Sequence, residues 1–249
     1  WYLYKKKADF TKIGEKFQID PVIARLIRNR DVIGDEEIHK YLYGNLSDIS
    51  DPFLMKGVRE GVDIIREKIR DRKTIRIISD YDVDGVVSNY ILWKAIYDLG
   101  GMIDFQIPDR MKDGYGINEN IIEKAVEDQI DTILTCDNGI AASEAIRFGK
   151  EHGLTMIITD HHDVPFILNE DGSKEEILPP ADVVINPKQK ECKYPYPLLC
   201  GAGVAFQFVR ALYKSMGEDE NKLEDLLSML AIATVRDVVD LTGENRIFV

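Results

Sequence analysis

The chain has 249 residues, 45% apolar and 31% charged, an ordinary globular balance that excludes a disordered or fibrous chain. That length corresponds to one or two domains with a substantial core. The 44 acidic and 32 basic side chains give a formal net charge of −12, which argues mildly against a nucleic-acid partner.

The first ~55 residues read as a small helical segment. Asp20-Pro21 is an N-cap followed by proline at the first helical position, and the run after it places Val22, Ile23, Leu26 and Ile27 on one face. Asp35-Glu36-Glu37 opens a second short helix ending near Tyr43-Gly44. Lys5 to Lys7, Arg25, Arg28 and Arg30 make this segment more basic than the whole. The turn-rich stretch Asn45–Phe53 is a connector.

From Lys56 onward the chain alternates. A helix is predicted over about 56–69, followed by short β-rich apolar runs at 75–79, 103–107, 132–136, 155–159 and 181–185. Helical stretches at roughly 87–99, 118–128 and 141–152 separate them. This pattern predicts an α/β fold with a mostly parallel, doubly wound sheet. Two further helices are predicted at about 202–215 and 221–234.

The sequence has no run of ~18 apolar residues that could span a membrane, and the first ten residues lack the apolar centre of a signal peptide. Cys136, Cys192 and Cys200 have no CxxC spacing, which points away from a disulfide framework or a zinc knuckle. The expectation is a soluble, cytoplasmic protein with no membrane partner. A start without Met and an abrupt stop at Val249 read as a fragment.

The chemistry sits where strands end, since doubly wound sheets bind ligands beyond the carboxyl ends of their strands. The run 75–79 leads into Asp80-Tyr81-Asp82-Val83-Asp84-Gly85, 132–136 into Asp137-Asn138-Gly139, and 155–159 into Asp160-His161-His162-Asp163. Alternating carboxylates need positive compensation, which hard divalent cations supply. An EF-hand loop begins alike, but Ile91 stands where that loop needs its bidentate Glu. Asp137-Asn138-Gly139 alone is an ordinary turn. Two adjacent histidines after an Asp suit a metal site with an acid that orients an imidazole. Adjacent residues point apart, so one histidine can bind metal while the other faces substrate. Mixed Asp and His donors favour Mn²⁺ or Mg²⁺, with Zn²⁺ or Fe²⁺ as alternatives. There are enough of them for two ions sharing a carboxylate, the arrangement that serves in-line phosphoryl displacement.

In this order and at these strand ends, the three motifs resemble the DHH phosphoesterase superfamily, and within it the RecJ-type single-strand exonucleases. Pro108-x-Arg110 leading to Gly114-Tyr115-Gly116, Ile185-Asn186-Pro187, Cys200 to Phe206, Thr234 to Val239 and Leu241 to Arg246 agree, as does the Asp51-Pro52-Phe53 approach. The resemblance spans nearly the whole chain. It implies an N-terminal helical segment (1–55), then a DHH domain (56–249), without the C-terminal DHHA1-type and OB-type domains of such enzymes.

It also implies roles. Asp82, Asp84, Asp137, His161 and Asp237 would bind two Mn²⁺ or Mg²⁺ ions, with Asp80 in or beside the set. His162 would face the scissile phosphate and Asp160 would orient a histidine. Ser88, Asn89, Arg110 and Asn138 would lie on the phosphate side or support it. The Gly201–Gly203 turn would offer a helix N-terminus to phosphate, a close-packed helix start being the alternative. A metal-bound hydroxide would attack the phosphodiester of single-stranded DNA from its 5′ end, and the isolated lobe would be weakly active or inactive. Single-strand-binding protein and a helicase would be partners in DNA repair and recombination. Ser79, Ala233, Arg236 and Asp240 depart from the usual Gly, Gly, Ala and Pro. The alternatives are a DHH-family phosphoesterase acting on short oligonucleotides, cyclic dinucleotides or phosphoadenosine phosphate, and a non-catalytic scaffold.

Overall fold

A computed structural model describes residues 6–114 and 116–249; Lys5 and Tyr115, which belong to the sequence motifs above, lie outside the described residues. The chain forms two compact units. The smaller runs to Ile49 and takes in Asp240–Phe248; the larger is Ser50–Val239 with Val249.

The smaller unit contains α1 (Phe10–Phe17), α2 (Pro21–Asn29) and α3 (Asp35–Tyr43) around Phe17, Ile27, Val32 and Ile38. Asp20 caps α2 by accepting the Val22 N–H at 2.7 Å. The expected apolar face of α2 is corrected here. Ala24 and Ile27 are buried, whereas Val22, Ile23 and Leu26 are exposed. A small residue lets the helix sit close, and four spaced apolar residues do not say which side turns inward.

The larger unit opens with a 3₁₀ turn (Pro52–Leu54) and α4 (Val58–Arg70). Then follow β1 (Thr74–Ser79), α5 (Val83–Asp98), β2 (Met102–Gln106), α6 (Glu119–Glu127), β3 (Thr132–Cys136), α7 (Ser143–Glu151) and β4 (Thr155–Thr159). After these come β5 (Phe166–Leu168), β6 (Lys174–Glu176), β7 (Val183–Ile185), α8 (Gly201–Met216) and α9 (Leu227–Arg236). Five strands form one sheet of order β2-β1-β3-β4-β7, every pair parallel. The expected α/β, doubly wound architecture is therefore what the chain adopts. β1, β3 and β4 are buried along their length, as strands covered on both faces must be. α6 and α7 close one face over Ile78, Ile133, Met156 and Ile158. α4, α5 and α8 pack together on the other. No helix of the described residues is long and apolar enough to cross a membrane.

Four local expectations differ. α5 begins at Val83 rather than near 87, because Asp82 caps it by accepting the Gly85 N–H at 3.0 Å. The stretch 220–226 winds as 3₁₀ turns before α9, with buried Leu223 and Leu226 at the three-residue 3₁₀ repeat. The antiparallel pair β5–β6 has its three apolar residues exposed and carries no alternating pattern to announce it. A short α10 (Gly243–Phe248) also escapes the sequence pattern.

Candidate metal centre

Chain order from β1 to β2 runs one way across the sheet and from β1 to β3 the other, so the strand order reverses between β1 and β3. A doubly wound sheet opens its ligand crevice there. Asp80 follows β1, Asp137 follows β3, and Asp160, His161 and His162 follow β4. Asp84 reaches the same edge from the first turn of α5, and Asp237 from the C-cap of α9.

These residues converge on His161. Its Nε2 lies 3.1 Å from Asp137 Oδ1 and 3.7 Å from Asp84 Oδ2, and its Nδ1 lies 3.8 Å from Asp237 Oδ2. Nε2 is buried and makes no hydrogen bond, and neither does Asp80 Oδ1. Leaving such atoms unpaired is costly. Three donor groups each fit within 4.8 Å: Asp84, His161 and Asp237; Asp137, His161 and His162; Asp80, Asp82 and Asp137. Carboxylate oxygens with imidazole nitrogen are a donor set for Mn²⁺ or Mg²⁺, and shared Asp137 and His161 allow two neighbouring ions.

The electrostatics call for that charge. Burial, then the carboxylates of Asp84, Asp160 and Asp82, push the Asp137 carboxyl well above its ordinary range. Burial and Asp84 raise Asp237. Burial raises Asp80 against the pull of the Tyr81 backbone N–H.

Asp84 has a second task. Its Oδ2 accepts the Gly201 N–H at 2.6 Å and its Oδ1 the Ala202 N–H at 2.9 Å. The N-terminus of α8 is thus given to a carboxylate of the protein itself, and the expected phosphate site at Gly201 and Gly203 is corrected accordingly. A Cβ at Gly201 would stand 2.7 Å from Asp137 Cβ and 2.9 Å from Asp84 Oδ2, so only glycine fits. Gly203 is packed against Leu199. Gly85 is equally constrained, since a Cβ there would meet Asp80 O at 2.4 Å.

Asp160 is buried and accepts at both oxygens. Oδ2 takes the Ile140 N–H at 2.9 Å. Oδ1 takes the backbone N–H groups of His161 and His162 at 2.7 and 3.1 Å and lies 2.7 Å from His162 Nδ1. Burial alone would raise this carboxyl, but the His162 ring and these N–H groups hold it below the ordinary range. The same contact, against the cost of burial, pushes His162 up to about 9.

Other expected residues fall elsewhere. Ser88 is buried and donates to Asp84 O at 2.7 Å. Asn89 donates to Ser79 Oγ at 3.1 Å, so the serine that replaces the usual glycine has a partner. Asn138 Nδ2 donates to Ile78 O and Cys136 O at 3.2 and 3.1 Å. Asn89 and Asn138 brace the strand ends and Ser88 bonds back along its own helix, so the structure places all three in the supporting half of the expectation. Arg110 is exposed, with its guanidinium 5.6 Å from the Tyr81 ring centroid. Asn186 was quoted in a motif but given no role. It donates to His162 O at 2.9 Å, and its place just after β7 was the signal that could have found it.

The comparisons with known proteins agree with this geometry. The model of the DHH family, N-terminal domain, matches residues 74–234. The single-stranded-DNA-specific exonuclease RecJ of Bacillus subtilis is 37% identical over 248 residues, covering 99% of this chain and 30% of that protein. A crystal structure of exonuclease RecJ bound to manganese superposes with a TM-score of 0.67 at 31% identity, covering 78% of this chain and 46% of that one. RecJ of Thermus thermophilus in complex with Mn²⁺ gives 0.72 at 26% identity, covering 96% and 32%. The chain thus spans about a third of the length of the first of these relatives.

Proposed function

This chain belongs to the DHH family, and from that premise we propose that it is the catalytic lobe of a divalent-metal-dependent exonuclease that hydrolyses single-stranded DNA from the 5′ end. The observation that carries the reading is His161 Nε2, buried without a hydrogen bond amid carboxylates drawn from separate elements. The likeness to RecJ supports the substrate; the 5′ polarity follows from the family resemblance of the motifs.

In this reading Asp84, Asp137, His161 and Asp237 hold one Mn²⁺ or Mg²⁺ ion, and Asp80, Asp82 and Asp137 hold a second. The ions supply positive charge and Lewis acidity at phosphorus. The chain's own residues do the rest. Asp160 binds Nδ1 of His162 and holds the ring charged, so that Nε2 presents a proton to a phosphate oxygen. Arg110, beside Tyr81, adds a guanidinium suited to a phosphate. Asn138 keeps the turn after Asp137 in place. The division between an N-terminal helical segment and the DHH domain near residue 55, the cytoplasmic location, the roles in DNA repair and recombination, and partnership with single-strand-binding protein and a helicase belong to the same reading. They rest on the family resemblance of the sequence motifs.

The test is a substrate panel on the full-length protein, with Mn²⁺ binding measured in parallel. Mononucleotides should be released from the 5′ end of long single strands. His162→Ala should keep Mn²⁺ bound while turnover falls by ~100-fold or more, and Asp137→Ala should lose the metal. Cleavage of tri- to pentanucleotides with long strands spared would overturn the exonuclease reading. Equal metal loss in both variants would overturn the division of labour between the histidines.

A further inference from the structure

Asn186 follows β7, the outermost strand of the sheet, and is fully buried. Its side chain is used at both ends. Nδ2 donates to the His162 carbonyl oxygen at 2.9 Å, and Oδ1 accepts the Lys188 backbone N–H at 2.9 Å. The second bond closes a turn around Pro187. Gln189 fastens that turn from below, with Nε2 donating to Val184 O at 3.0 Å and to Asn186 O at 3.2 Å. One residue before Asn186, the Ile185 carbonyl accepts the Asp160 N–H at 3.0 Å. The end of β7 therefore grips the 160–163 turn at two points.

The two histidines are gripped differently. The His161 N–H and the His162 N–H both go to Asp160 Oδ1, the oxygen that also meets His162 Nδ1. The bond from Asn186 acts beyond the His162 side chain, on its carbonyl. Without that bond, a partly buried carbonyl loses the amide that β7 offers it, and the peptide after His162 is less constrained. The ring of His162 then loses its angle to Asp160, while His161 stays fixed by its own N–H and by the carboxylates around its ring.

We propose that Asn186 is a positioning residue for His162: it sets the angle of the His162–Asp160 pair without contributing to metal binding. The catalytic meaning of this rests on the exonuclease reading; the positioning itself does not. Residues that orient a site group from behind commonly cost 10–100-fold when removed, an order-of-magnitude expectation of about that size here.

The test compares Asn186→Ala with Gln189→Ala, which loosens the same turn without touching His162. In the full-length protein, Asn186→Ala should lower kcat on oligo(dT) by ~10-fold or more, with KM and Mn²⁺ affinity changed by no more than ~2-fold. Gln189→Ala should cost thermal stability yet leave kcat near the parent. Added to His162→Ala, Asn186→Ala should cost nothing further, because the group it positions is gone. The readout that needs no turnover is NMR of the metal-free chain. The His162 Nδ1 proton bonded to Asp160 should broaden or vanish in Asn186→Ala, while the His161 amide signal stays in place. An additive loss in the double variant, an equal kcat loss in Gln189→Ala, or an unchanged His162 ring signal would each overturn the proposal. If the parent protein hydrolyses no single-stranded DNA, the exonuclease reading fails by itself, and the ring signal still decides the role of Asn186.

Discussion

The larger unit sets acidic groups against two different backgrounds. On β1, the Arg76 guanidinium meets Asp104 at 2.8 and 2.6 Å and Asp128 at 2.8 Å. The hydrogen bond to Asp104, followed by that to Asp128, raises the Arg76 pKa despite its burial. There the protein supplies its own cation. Beyond the carboxyl end of that strand, Asp80, Asp84, Asp137 and Asp237 crowd together with two histidines and no Lys or Arg in an ion pair with them among the described residues. The first arrangement is complete when the chain folds. The second is stable only when protons or metal ions enter it. Acidic clusters can thus be sorted by whether the fold provides the compensating charge or leaves it to the solvent.

The sharpest way to break this contrast is to remove a ligand. Asp137→Asn should reduce Mn²⁺ affinity by ~100-fold or more while raising the melting temperature of the metal-free protein near neutral pH, since an amide needs no proton to sit among the other carboxylates. Isothermal titration and thermal melting check the two halves. A fall in metal-free stability would show that the cluster is already compensated without metal.

Asp84→Ala should behave differently, because Asp84 also receives two N–H groups of α8. It should lose metal and also lose about 2–4 kcal/mol of stability, from two donors left buried. Chemical denaturation would detect this. A stability change like that of Asp137→Asn would mean the helix terminus finds water instead.

The pH dependence follows from the raised carboxyls. Asp137 and Asp237 keep protons in the folded state that the unfolded chain releases above about pH 4. The contribution of these two groups to the stability of the metal-free protein is therefore full below that pH and is lost as pH rises toward the folded values. Mn²⁺ replaces those protons, so the gain in melting temperature on adding it should grow from about pH 5 to about pH 8. A constant gain across that range would contradict the assignment.

The smallest effect is expected at the self-compensated site. Arg76→Leu should cost about 1–2 kcal/mol and leave Mn²⁺ binding unchanged, because Asp104 and Asp128 are half-exposed and water can solvate them.

The fold was legible where burial leaves a simple record. The central strands β1, β3 and β4 are short apolar runs because both faces are covered, and the acids and histidines stand at their ends. The pair β5–β6 left no such record, since its apolar residues Phe166, Ile167 and Leu168 are all exposed. The face of α2 was misread because the contact is made through Ala24, whose small size gives it little weight in a pattern of large side chains. Within the site, identity was legible and direction was not. Ser88 and Asn89 stand one turn after Asp84, but whether a hydroxyl turns outward to a phosphate or back to the Asp84 carbonyl depends on packing. The α8 terminus was visible as a place for an anion. That the anion is Asp84, 117 residues earlier in the chain, was not visible from spacing.

That separation has a consequence for how the protein is made. The carboxylate of Asp84 emerges early in synthesis, but the N–H groups that fix it belong to Gly201 and Ala202 and arrive after the whole sheet has been synthesised. Contacts between such distant residues form late in folding, because a long loop must close first. The nascent chain thus carries an acidic cluster that cannot reach its final geometry until α8 docks, and competence to bind metal becomes a report that α8 is in place.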